Sequence, residues 1–208
     1  MGLRVDVLEH ELVRLEPLSR QHVSGLERAS SGERGSFGFA LVPTAETAAA
    51  YVEQSLARAA GGDYFPFAQV LAGGRVVGHT AFLGLRFWPD GEALLAVEVG
   101  SSWLHPSVQG SAVNTAAKLL LFTHAFEAWG ASRVDIKTDE RNERARAGIV
   151  AVGATFEGVL RNWQPSATPG EEGWPRNTAM HSITSDEWPA TKRMLKERIE
   201  SKRGQAQR

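Results

Sequence analysis

The sequence predicts an α/β protein in which a central mixed sheet carries helices on both faces. Three observations lead there. The apolar periodicity alternates between strand-like and helical spacing in the order β, α, α, β, β, β, α, β, α, β, β. Gly73-Gly74 and Pro89-Asp90-Gly91 are hairpin signals that join three consecutive strand-like runs. No internal repeat and no linker-like composition divides the chain, so residues 1–208 are expected to form a single domain.

Each element follows from local pattern. Leu12–Leu18 reads as a short strand, and Ser19–Ser30 as a helix with Ser19 as N-cap. Thr44–Ala60 is a second helix. Thr44 and Thr47 stand at capping-box spacing, with Thr in place of the usual Glu or Gln, and Gly61-Gly62 stops it. The three joined strands are Tyr64–Ala72, Arg75–Trp88 and Glu92–Leu104. A strongly apolar helix follows the small-residue stretch QGSAVN, then a strand at Ser132–Asp139 and a helix at Glu140–Val152 closed by Gly153. Thr155–Asn162 and Thr178–Ile183 form a last strand pair around the Pro/Gly-rich loop WQPSATPGEEGWP. A charged helix at Trp188–Ile199 and a polar tail from about residue 200 complete the chain.

Composition narrows the function. With 42% apolar and 23% charged residues the chain can bury a substantial core. The net charge of -1 argues against nucleic acid or an anionic membrane as partner. The chain has no cysteine, which excludes a Cys nucleophile, a thiolate metal site and a disulfide. No apolar run is long enough to cross a membrane and the N-terminus lacks a signal-type apolar region, so a cytoplasmic protein is expected. The histidines show no metal-ligand spacing, and no metal is expected.

The small-residue stretch before the central helix carries the first functional signal. Gly110, Ser111, Ala112 and Val113 offer little beyond backbone N–H groups. A helix N-terminus presents unpaired donors and a partial positive charge. The expected first turn, Thr115 to Lys118, holds no acid and ends in a lysine, and Asn114 is the expected N-cap. Such a start suits a bound anion such as phosphate, although an ordinary strand–turn–helix explains the same residues. A Walker loop is disfavoured because Gly-Lys-[Ser/Thr] is missing, and a dinucleotide fingerprint because its glycines are missing.

Two longer stretches, VEVGSSWLHPSVQGSAVNTAAKLLLFTHAF and SRVDIKTDERNERARAGIVAVGATFEGVLRN, resemble GNAT N-acetyltransferases of the RimJ/RimL type. The likeness spans about Leu12 to Leu195, and TAMHSITSDEW fits the closing strand and helix. Two positions depart from the pattern: Ala112 stands for the usual Gly and Ala145 for the usual Ser. The resemblance implies acetyl-CoA as co-substrate, held in a V-shaped gap between two splayed parallel strands, Val97–Leu104 and Arg133–Thr138. The pantetheine arm would pair with backbone near Trp103 and Leu104, and Asn142 would help hold it. The pyrophosphate would take N–H donors from Gln109, Gly110, Ser111, Ala112, Val113 and Asn114. Asn142 also reads as a plain capping residue.

Strand alternation places Ala96, Glu98 and Gly100 on one face, and the resemblance puts a catalytic base at Glu98. A carboxylate between small neighbours leaves room for an amine and can take its proton, directly or through one water. A structurally paired Glu is the competing reading. An N–H of Leu104 is a candidate oxyanion donor. No general acid is assigned, because Tyr51 and Tyr64 lie far upstream and Ala145 lacks a hydroxyl. His79, His105 and His181 are weak candidates for the site. The loop flanked by Trp163 and Trp174 is expected to wall the acceptor pocket or to form a homodimer contact. The expected function is N-acyl transfer to a primary amine, on a small molecule or a protein N-terminus. A non-catalytic acyl-CoA sensor is the alternative.

Overall fold

The computed structural model describes residues 3–91 and 93–206, so Glu92, the expected start of one strand, lies outside the described residues. The strands are β1 (Leu8–His10), β2 (Val13–Pro17), β3 (Tyr64–Leu71), β4 (Val76–Phe87), β5 (Leu94–Leu104), β6 (Arg133–Asp139), β7 (Thr155–Pro165) and β8 (Pro175–Thr184). They form one sheet in the order β1-β2-β3-β4-β5-β6-β8-β7. All neighbours are antiparallel except β5 and β6, which are parallel, so the sheet is mixed as the sequence predicts. The helices are α1 (Val23–Ser30), α2 (Ala48–Ala59), α3 (Val113–Thr123), α4 (Glu143–Val150) and α5 (Trp188–Ala206). A helix-containing crossover is what a parallel pair needs, and α3 supplies it between β5 and β6.

Helices cover both faces. On one, Leu26 and Ala29 of α1 and Val52 of α2 pack on Ala68, Val70 and Trp103. On the other, Leu121 and Phe122 of α3 and Leu195 and Ile199 of α5 join Leu15, Phe67, Phe82, Val97 and Val99. Each such buried Phe, Leu or Val side chain contributes about 1.5–3 kcal/mol.

Several boundaries differ from the sequence reading. A 3-10 turn, Arg20–His22, opens the first helical segment, with Ser19 as N-cap and its N–H donated to His22 Nδ1 at 3.1 Å. Thr44 N–H donates to Thr47 Oγ1 at 2.8 Å, as a capping box requires, but α2 begins only at Ala48. β1 is three residues long, too short to show a period. The residues from about 200, read as a polar tail, continue α5 as helix to Ala206.

The centre of the sheet opens. β5 and β6 are paired only at Ala96↔Arg133, Val97↔Val134 and Glu98↔Asp135. Beyond that, β5 stays with β4, while β6 stays with β8 as far as Asp139. The cause lies in a bulge. Gly100 faces Ala81 and Trp103 faces His79, so Ser101 and Ser102 together oppose Thr80, and Ser101 adopts φ 50°. One extra residue bends and twists its strand, which turns β5 away from β6 just past Glu98.

Candidate active site

Ladder partners point to the same face. Glu98 pairs with Asp135, and Asp135, Lys137 and Asp139 pair with Ser182, Met180 and Thr178. Glu98, Lys137 and Asp139 therefore share one face of the opened sheet with Thr178 and, two residues on, Arg176. A continuous cavity of ≈ 950 Å³ runs along this face and through the gap between β5 and β6. Glu98, Lys137 and Arg176 line it, together with Tyr51 and Arg58 of α2, and Asn114 and Lys118 of α3.

Glu98 is 9% exposed. Its neighbour Gly100 is small for a steric reason. A Cβ on Gly100 would stand 2.7 Å from Glu98 Oε1; Gly84 of the facing strand has room for one but holds φ 60°. Lys137 Nζ lies 2.8 Å from Glu98 Oε2. Burial raises the Glu98 carboxyl above its ordinary 4.5, Lys137 pulls it back, Asp135 raises it further, and Arg176 lowers it. Glu98 is thus both paired and placed in the cavity, so the two readings of it are not exclusive. Sequence reasoning misses Lys137, although the alternation of Asp135, Lys137 and Asp139 with buried Val134 and Ile136 marks a polar face.

Lys118 departs from its expected role. α3 starts at Val113, so Lys118 sits in the second turn rather than the first. It is 6% exposed, and its Nζ donates to Ser102 Oγ at 2.7 Å. Burial pushes this amine down to about 7, against the upward pull of Glu98.

The loop expected to bind an anion runs from Gln109 into the start of α3. Gly110 has φ 78°, a backbone that favours glycine, and open space where a Cβ would stand. Ala112 has φ -71°, so replacing Gly there carries no backbone penalty. Asn114 is not the N-cap. Ser111 Oγ accepts the N–H of Val113 at 3.2 Å and fixes the turn, which removes Val113 from the free donors. The Ala112 and Val113 side chains are buried in the core, while Gln109, Gly110, Ser111 and Asn114 line the cavity. α3 has no acid in its first turn. Lys202 of α5 donates to Gly110 O at 2.6 Å and Ser111 O at 3.0 Å, turning the loop carbonyls toward α5. Arg144 and Arg198 line the cavity with it. Gln109 Nε2 ties the loop to Leu104 O at 2.7 Å, and Trp103 and Leu104 line the cavity.

Asn142 caps α4, its Oδ1 accepting from Ala145 N–H at 3.0 Å, and it also lines the cavity. α4 therefore begins at Glu143 rather than Glu140. The histidines are structural. None lines the cavity. His79 is buried, bonded through Nδ1 to Ser101 O at 2.9 Å and pushed down to about 4 by burial. His105 Nδ1 accepts from Ser107 N–H at 3.1 Å, and His181 is 1% exposed in the sheet. Tyr51 and Tyr64, distant in sequence, both line the cavity: α2 packs on β3, and the Tyr51 hydroxyl accepts from Trp103 Nε1 of β5 at 3.4 Å. Gln164 near the end of β7 and Ala167 of the loop after it wall one side. Arg141 holds that loop by bonding Asp139 Oδ2 at 2.8 Å and Glu171 Oε1 at 2.7 Å. No helix among the described residues is long and apolar enough to cross a membrane.

Residues 13–155 match the family described as "Acetyltransferase (GNAT) domain". No functionally curated protein matches the sequence. Among solved structures, a protein assigned as an acetyltransferase from T. thermophilus is 32% identical with TM-score 0.77, over 96% of this chain and 100% of its own. A GCN5-related N-acetyltransferase from Brucella melitensis is 28% identical with TM-score 0.79, over 95% of this chain and 86% of its own. Mycobacterium smegmatis RimJ, solved in complex with CoA-disulfide, shares the fold at 21% identity with TM-score 0.69, over 92% of each chain. With the split sheet and the family match in agreement, this chain belongs to the GNAT family and is an acetyltransferase that uses acetyl-CoA.

Proposed function

We propose that this enzyme moves an acetyl group from acetyl-CoA directly to a primary amine, with Glu98 as the base. The observation that carries the reading is the position of Glu98 at the last paired rung of β5 and β6, where the cavity passes through the sheet. Acetyl-CoA, when bound, supplies an acetyl group activated as a thioester. The edge of β5 beyond Glu98 has no β6 partner, and its backbone groups near Trp103 and Leu104 suit the amides of a pantetheine arm. The Gln109 N–H is bonded to Pro106 O and that of Val113 to Ser111 Oγ, so the pyrophosphate would take the N–H groups of Gly110, Ser111, Ala112 and Asn114, with Arg144, Arg198 and Lys202 adding positive charge. Asn142 keeps its Nδ2 available after capping α4.

An ammonium has no lone pair to attack with. Glu98 accepts its proton, directly or through one water, and Leu104 N–H steadies the negative charge that develops on the acetyl oxygen; as the C–N bond forms the thioester C–S bond breaks, and CoA leaves as a thiolate that takes its proton from solvent. The sensor alternative loses one of its two supports, since Ala112 sits at a backbone angle that alanine adopts freely. The test is CoA release against a panel of primary amines. Amine-dependent release with sequential kinetics is expected. Release that ignores the amine, or a ping-pong pattern, contradicts direct transfer.

A further inference from the structure

We infer that the acceptor is a small amine that also carries an anionic group, a carboxylate or a phosphate, and that Arg176 binds that group. The inference rests on the acyl-transfer reading above and narrows its substrate class.

Arg176 is 8% exposed, and a buried guanidinium without a counter-charge is costly. Among the described residues it has no carboxylate oxygen within 4.0 Å, and its one hydrogen bond runs from Nε to Thr178 Oγ1 at 3.2 Å. That bond turns the side chain back along β8 toward Glu98; the side chain feels the charge of Asp139 first and of Glu98 second, and bonds neither. Its terminal nitrogens are left to the cavity. Asp139, the acid on the same face, is already gripped by both ends of the Arg141 fork.

The surroundings share this bias. Glu98 is the single carboxylate among the described residues lining the cavity, and Lys137 already pairs with it. Arg58 sits over the Tyr64 ring at 4.2 Å with no carboxylate within 4.0 Å among the described residues, and Lys118 likewise has none. A polyamine or an aminoglycoside would bring further positive charge among these cations. An amine with its own anion places the amine at Glu98 and the anion at Arg176, as a two-atom fork for carboxylate or phosphate.

The experiment uses saturating acetyl-CoA and matched acceptors: amino acids against their carboxamides, phosphoethanolamine against ethanolamine, and spermidine. The anionic member of each pair should have kcat/KM higher by about 10- to 100-fold, expressed mainly in KM. Arg176→Gln should erase that preference and Arg176→Lys keep part of it, while acetyl-CoA affinity stays as in the parent. In parallel, with CoA bound, simple dicarboxylates and methylphosphonate should raise the melting temperature of the parent and not of Arg176→Gln. Neutral amines or spermidine reacting as well as the anionic members overturns the inference, and so does a preference or anion shift that survives Arg176→Gln. If the parent fails to bind acetyl-CoA, the acyl-transfer reading falls and takes this one with it. Intact acetyl-CoA binding with the wrong preference removes this inference alone.

Discussion

Glu98 Oε2 lies 2.8 Å from Lys137 Nζ, across the line where β5 and β6 part. The pair ties the two diverging strands together at the point where chemistry is proposed. It also sets the charge state of the base, since the ammonium opposes the rise that burial imposes on the carboxyl.

Lys137→Met should therefore raise the Glu98 pKa further. The ionised carboxylate is the active form, so the acid limb of the kcat/KM profile should move to higher pH. A limb that stays in place means Lys137 does not tune the base.

Gly110 holds φ 78° beside open space, so substitution strains the backbone without a clash. Gly110→Ala should cost on the order of 1–2 kcal/mol in thermal or chemical unfolding. Gly110→Glu adds charge and bulk where phosphate is proposed to bind, and should abolish the melting-temperature rise produced by acetyl-CoA. A shift equal to the parent's would remove the loop from the cofactor site.

Lys118 titrates at about 7 in the fold against 10.5 for the free side chain. Below pH 7 the native state carries the buried charge at full cost. Between about 7 and 10.5 it binds fewer protons than the unfolded chain, so stability rises with pH across that window. Lys118→Met should stabilise the protein at pH 6 by up to a few kcal/mol, with the advantage fading toward pH 10. A melting difference that does not change with pH would show that the buried charge is not its source.

Lys202 bonds two loop carbonyls from the last turns of α5. Lys202→Met should raise the KM for acetyl-CoA by about 3- to 10-fold, with partial recovery in Lys202→Arg. An unchanged KM would make this contact incidental to the cofactor.

The strands are readable because alternation and hairpin glycines are local. β3, β4 and β6 fall within about two residues of expectation, whereas three-residue β1 offers no period. The glycine turn ahead of α3 is readable because its residues are contiguous. Its cap is not: Asn114 is the better capping residue by type, yet Ala112 stands at the N-cap without a side-chain bond and Ser111 Oγ takes the Val113 N–H instead. Lys137, Arg176 and Lys118 escape sequence reasoning because register across three strands and a crossover helix, rather than sequence spacing, brings them to Glu98. Lys202 is hidden in residues that read as a tail, since a polar helix end and a polar tail have the same composition.

The central claim is that Glu98 takes the proton, and turnover of Glu98→Gln at pH 7 tests it most directly. The variant is nearly isosteric and should keep the parent's affinity for acetyl-CoA, while turnover with a reactive amine falls by roughly 100-fold or more and recovers in part at higher pH. Turnover equal to the parent's at pH 7, with acetyl-CoA bound normally, would contradict the account and send the proton by another route.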